Sequence, residues 1–273
     1  MKKRHLLLQS ISFFTIGMLY LPLFGIAVFS VNSAKHGWIW RGFTSKWYTG
    51  LLHNDYILQA AWNTLTLAVV STLVATVIGT LLAIGISRFP WGNRTSGFLN
   101  LMLNFPVVIP DIVMAGSLVV VFALLRSVSD VFQPGMVTMT IGHITFQIAF
   151  VALIVRSRLV SIGTDLEEAA RDLFADNWYL MRRVIFPLLL PGIVAGGMLA
   201  FTLSLDDFVI SFFTSGPTSQ TLPLYIYSAV RRGVTPQIHA LSTILVLITV
   251  ILVVLAERIS RKNKKTFHNP NEE

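Results

Sequence analysis

Three acids, Asp111, Asp206 and Asp207, stand inside or beside long apolar runs of this chain. A charge at bilayer depth costs at least ~2.5–3.5 kcal/mol, so such residues line a cavity or meet a partner. No Lys or Arg shares those runs, and the three acids together make an electronegative lining suited to a cation. Adjacent helical residues point about 100° apart, so Asp206 and Asp207 must divide: one can face a pathway while the other bonds to backbone. If the helix breaks there, either can cap the next helical turn. The competing reading places all three at the outer membrane boundary. His143 also lies within an apolar run and reads as a helix-to-helix hydrogen bond in preference to a proton relay. Other chemistry is missing. There is no G-x-x-x-x-G-K-S/T, H-E-x-x-H or G-x-S-x-G, there are no cysteines, and the histidines are scattered (His5, His36, His53, His143, His239, His268). No catalytic residue, cofactor or metal site is expected, and the chain does not read as an enzyme.

Those acids require an apolar scaffold. Of 273 residues 54% are hydrophobic and 12% charged, against about 25% charged in an ordinary soluble domain. Mean hydropathy is +0.69. Lipid must be the solvent for most of this surface. About 20 apolar residues cross a bilayer, and uncharged runs of that order fall at 6–31, 65–86, 98–125, 131–155, 184–205 and 239–256. The expected fold is an all-α membrane protein, one domain over 1–273 with six transmembrane helices. Pro106, Pro110 and Asp111 interrupt the third run, which is either a kinked helix or one that starts at the interface. The first run follows Lys2, Lys3 and Arg4 but is too long for a signal peptide, so it is read as a retained helix.

Lys and Arg favour the cytoplasmic side. With six alternating spans and an inside N-terminus, fifteen of the 21 basic residues fall inside and six outside. Both termini of this multi-pass membrane protein are therefore expected in the cytoplasm. The net charge of +8 faces anionic headgroups on this reading, and no nucleic acid is expected as a partner. Trp38, Trp40, Trp47 and Tyr48, in the outside loop from Asn32 to about Tyr56, suit an interfacial aromatic belt. The tail from Glu257 to Glu273 reads as a frayed, charged end. Gly192-x-x-x-Gly196 and Ala75-x-x-x-Gly79 offer small-residue faces, read as close packing within the subunit before a dimer interface.

The loop 156–183 is amphiphilic and patterned. Thr164-Asp165-Leu166-Glu167 reads as a capping box, which starts a helix at Asp165. Leu166, Ala169, Ala170 and Leu173 recur at i, i+3, i+4 and i+7 on one face, with Glu167, Glu168, Arg171 and Asp172 on the rest. A helix this short is unstable alone. It either lies on the chain's own membrane surface or docks into a soluble cytoplasmic partner, where Ala169 and Ala170 permit close approach and Glu168 meets a basic group.

Glu168-Ala169-Ala170, followed by Val184-Ile185-Phe186-Pro187, resembles the E-A-A loop of permease subunits of binding-protein-dependent ABC importers. The family pattern runs E-A-A-x-x-x-G and closes with I-x-L-P. Val184 and Phe186 replace Ile and Leu at similar volume. Phe174 stands where the family has Gly, at a turn that a Cβ residue resists. The resemblance implies that Leu166, Glu168, Ala169, Ala170, Arg171 and Leu173 engage a separate cytoplasmic ATPase subunit, which accounts for the missing P-loop. The segments Ser204–Phe213, Pro110–Ala115 and Gly216-Pro217 through Leu222–Ser228 resemble the second permease subunit of spermidine/putrescine transporters. That implies a polyamine substrate, a second permease chain, an external periplasmic binding protein and a pathway past Asp111, Asp206 and Asp207. Tyr225 and Tyr227 could then serve as cation–π partners or interfacial anchors. Alternatives are a ferric or small organic solute for the same machine, a proton-coupled secondary transporter, and an assembly factor without a pathway.

Overall fold

The computed structural model describes residues 2–34 and 39–266, all helical or connecting. In chain order the helices are α1 (Lys2–Phe29), α2 (Lys46–Leu52), α3 (Asp55–Arg88), α4 (Asn93–Val108), α5 (Asp111–Leu125), α6 (Met136–Ile162), α7 (Asp165–Asp172), α8 (Asn177–Tyr179), α9 (Phe186–Asp206), α10 (Val209–Thr214), α11 (Leu222–Arg232) and α12 (Pro236–Thr266). A π-helical stretch, Leu180–Ile185, joins α8 to α9. Four segments among the described residues are long and apolar enough to cross a membrane: Gln9–Phe29, Asp55–Arg88, Met136–Ile162 and Asn177–Asp206. The pair α4–α5 makes a fifth if it counts as one span. The described apolar part of α12, Pro236–Ile251, is shorter.

Two compact units divide the chain, one of residues 1–58 and 226–273, the other of 59–225. In the first, α12 packs against α1 and α2. Phe13, Phe14, Leu19, Leu21 and Phe24 of α1 all point outward, as suits a helix in lipid. The connection after α1 is knotted around Asn32, which is buried. Its amide donates to the Ile39 carbonyl at 2.9 Å, and its side-chain oxygen accepts from the Ala34 and Arg41 N–H groups. Two of the four aromatics assigned to the interfacial belt are committed here. The Trp47 indole donates to the Asn32 carbonyl at 2.7 Å, and the Tyr48 hydroxyl lies 2.6 Å from that of Ser30. Trp40 is exposed, and Trp38 lies outside the described residues. The C-terminal tail corrects another expectation: α12 stays helical through Thr266, with the remainder of the tail outside the described residues.

In the second unit, α6 is central. Val151, Ala152, Val155 and Leu159 meet Ala83 and Ile86 of α3, Leu103 of α4, and Leu189 and Ala200 of α9. Gly79 and Gly192 set these distances. A Cβ on Gly79 would stand 2.8 Å from the Val151 Cβ, and one on Gly192 2.8 Å from the Arg158 Cβ. The small-residue faces thus serve packing within the subunit, as expected. Dispersion between tightly packed backbones replaces the hydrophobic effect that lipid removes.

The third apolar run breaks into α4 and α5, whose axes differ by 108°. Pro110 holds Ile109 extended (φ −70°, ψ 137°), which ends α4. The π-helical stretch has a similar cause. Pro187 offers no N–H to Arg183 and crowds its carbonyl, and the widened turn just before it, with Phe186 N–H reaching Met181 O, relieves this.

Candidate functional site

The α6–α9 loop is built from both ends. Gly163, at φ +74°, ends α6, and α7 starts at Asp165 as the pattern requires. The capping box does not form. The Thr164 hydroxyl makes no cap bond, and only its carbonyl accepts, from Glu167 and Glu168 N–H at 2.9 and 3.0 Å. Glu167 Oε1 lies instead 2.5 Å from Nη2 of Arg88, the last residue of α3. An ion pair held away from water outweighs a local bond to an exposed N–H.

The apolar face of α7 also divides. Ala170 packs against the core around α6, whereas Leu166, Ala169 and Leu173 face away from the chain with Glu168 and Arg171. Leu173 is 82% exposed. The helix ends in a Schellman motif: Ala175 N–H bonds to Ala170 O at 3.0 Å and Phe174 N–H to Arg171 O at 2.9 Å. Phe174 occupies the left-handed position at φ +60° and is 97% exposed. The turn that normally takes Gly is therefore kept despite the Cβ, at a cost of about 1–2 kcal/mol. Phe174→Gly is expected to firm the turn by about 1 kcal/mol, slowing amide exchange at Ala175 roughly fivefold. Unchanged exchange would show that Phe174 carries no strain.

The second site is the break between α9 and α10. Asp206 ends α9 and is exposed, while Asp207 is extended (ψ 124°). The Asp207 carboxylate accepts from Ser211 N–H at 2.8 Å and Ile210 N–H at 3.3 Å, holding the first turn of α10. On its other side stands His143 of α6, fully buried, with Nε2 3.2 Å from Asp207 Oδ2 and 3.0 Å from Ser211 Oγ. The His143 Nδ1 lies 2.7 Å from Ser204 Oγ, which is 3.4 Å from Ser71 Oγ of α3. His143 is thus a helix-to-helix hydrogen bond, and Asp207, with its side chain 11% exposed, belongs to a polar network joining α3, α6, α9 and α10. The helix breaks between the two acids, and it is the break that divides them: Asp207 holds the start of α10 and Asp206 faces outward.

Asp111 begins α5, is exposed, and sits beside the helix's positive pole. Met114, one turn on, packs in the same apolar cluster as Leu203, one turn before Asp206, with Ala115, Phe146 and Ile210 at its centre. Met114 and Leu203, each three residues from one of the two acids, thus share one cluster. Tyr225 and Tyr227 lie on α11, a helix the apolar runs did not mark. Sequence reasoning also missed Arg88, Ser71, Ser204 and Ser211. Their partners lie far off in the chain, and no local spacing announces them.

Residues 75–265 match the family described as binding-protein-dependent transport system inner membrane component. The spermidine/putrescine transport system permease protein PotC of Escherichia coli (strain K12) is 43% identical over 247 residues, which cover 90% of this chain and 91% of that protein. The putrescine transport system permease protein PotI of the same strain is 38% identical over 228 residues, 83% of this chain and 81% of that one. A chain in the crystal structure of a bacterial alginate ABC transporter, in complex with alginate pentasaccharide-bound periplasmic protein, superposes with a TM-score of 0.75 at 21% identity over 96% of each chain. That likeness shows a shared all-helical membrane fold. With seven-tenths of its length inside the family match and two permeases so similar over most of their length, this chain belongs to the inner-membrane components of binding-protein-dependent transport systems, a transport subunit and not an enzyme.

Proposed function

We propose that the chain is a permease subunit of an ATP-driven importer for polyamines such as spermidine and putrescine. The observation that carries this reading is its 43% identity, over nine-tenths of both chains, with a permease named for those substrates. The chain crosses the membrane six times, as α1, α3, α4–α5, α6, α9 and α12, with both termini in the cytoplasm. The fifteen-to-six distribution of basic residues supports that orientation. The α6–α9 loop then faces the cytoplasm. The exposed residues Leu166, Glu168, Ala169, Arg171 and Leu173 enter a cleft of an ATPase subunit, while Ala170 anchors α7 to its own chain. A second permease completes the pathway, and a periplasmic binding protein delivers the substrate to its outer mouth.

A polyamine carries several ammonium groups on a flexible apolar chain. Asp206 and Asp111 offer carboxylates for charge-assisted hydrogen bonds, flanking apolar surface from Met114 and Leu203 that suits the methylene segments. Asp207 stays out of direct contact; it fixes the break that turns Asp206 outward. Exposed carboxylates of this kind bind weakly, which suits a transit site from which the cargo must leave.

The test is reconstitution in liposomes with the ATPase subunit, the companion permease and the binding protein. ATP-dependent accumulation of labelled spermidine or putrescine is expected, with none when the ATPase is omitted. Accumulation without any ATPase, or a failure of polyamines to accumulate, overturns the reading.

A further inference from the structure

We propose that Arg88 is the joint through which displacement of α7 reaches α3, which makes it a positioning residue for transport. This rests on the reading of α7 as the ATPase-docking helix. A docking helix of eight residues cannot by itself move a membrane bundle; the force must cross from it into the spans. Along the chain, α7 joins α6 through Gly163 and Thr164 and α9 through α8 and the π-helical stretch. Its connection to α3 is through space.

Arg88 supplies that connection. Its Nη2 lies 2.5 Å from Glu167 Oε1 in the first turn of α7, donates to Gly163 O at 3.0 Å and reaches toward Leu159 O at 3.5 Å. Gly163 and Leu159 belong to the C-terminal end of α6, whose exposed carbonyls attract a cation. One guanidinium therefore holds the end of α3, the end of α6 and the start of α7 together. Among the described residues this is the one ion pair that α7 makes. Both side chains are largely shielded from water, 21% and 13% exposed, so the pair is less screened than a surface bridge and is costly to leave half-made. On the far side of this joint, α3 and α6 share the contact at Gly79 and Val151, so displacement of their ends travels along packed backbone.

The experiment uses the full reconstituted complex and reads polyamine transported per ATP hydrolysed. Glu167→Gln keeps the shape of the side chain and leaves the Arg88–Gly163 bond in place. It is expected to retain the ATPase on co-purification yet to lower the transport ratio at least about tenfold, within the 5–150-fold range ordinary for coupling between sites. Arg88→Gln is expected to do the same, and Arg88→Lys, which restores a charge opposite Glu167, to recover the ratio to within about threefold. Spin labels on α7 and on the last turn of α3 should show their nucleotide-dependent movements decoupled in Glu167→Gln and locked together in the parent chain. A normal ratio in Glu167→Gln, or movements that stay locked, overturns the joint while leaving ATPase docking intact. If the parent complex itself shows no ATP-dependent accumulation, docking falls and the joint falls with it.

Discussion

Exchange of Glu168 for Lys is expected to abolish uptake, by about 100-fold or more, while the chain still inserts in the membrane. Glu168 lies in the first turn of α7 with its carboxylate exposed, so the chain itself loses little from its replacement. A cation near the positive helix pole costs about 0.3–1 kcal/mol, too little to unfold a bundle held by α6. In an interface the same reversal sets like charges together and strands the partner's cation, an effect of about 2–5 kcal/mol. The measurement pairs transport in proteoliposomes with ATPase retained on purification, and both should fall together. Glu168→Ala, which removes the attraction without adding repulsion, should fall less. Transport at the normal rate in the Lys variant would remove α7 from the docking role.

The second large effect separates neighbours. Asp206→Asn is expected to cut polyamine flux roughly tenfold or more, because a charge-assisted hydrogen bond to an ammonium contributes about 1.5–3 kcal/mol over a neutral site. Its stability should stay within about 0.5 kcal/mol, since the side chain is exposed. Asp207→Asn should reverse the pattern. Its carboxylate accepts from two backbone N–H groups and faces His143, and the amide leaves one of these contacts donor to donor. Loss of a satisfied buried charge costs about 3–5 kcal/mol, to be read as a lowered midpoint of thermal unfolding in detergent and poorer recovery of the complex. Flux unchanged from the parent chain in both single variants and in the double variant would exclude the acids from the pathway.

Much of this was legible in the residues themselves. The start of α7 at Asp165, the break at Pro110 and an acid of the Asp206-Asp207 pair holding the next helical turn all follow from local rules: an N-terminal boundary signal, a proline that restricts the residue before it, and a carboxylate that caps free N–H groups. Local rules fail where a partner lies far along the chain. Glu167 reads as a capping residue from Thr164 alone, and only the fold brings Arg88 to it. His143 could be marked as a hydrogen-bonding helix residue, but its three partners lie 61 to 68 positions away. The amphipathic α11 escaped because it is too short and too polar for a span, and because its pattern stands behind Gly216-Pro217, which reads as loop. Phe174 shows the opposite limit. Its type argues against a left-handed turn, yet the hydrogen bonds that close α7 hold it there.

Beside Phe174, the exposed Leu173, Trp178 and Tyr179 make a knuckle of bare ring and alkyl surface. If α7 docks an ATPase subunit as proposed, a chain synthesised in excess of that subunit displays this surface to the cytosol, where uncovered apolar surface recruits chaperones and proteases. Cells would then hold the two gene products near a fixed ratio without any dedicated regulator, simply because an orphan of this chain advertises itself for removal.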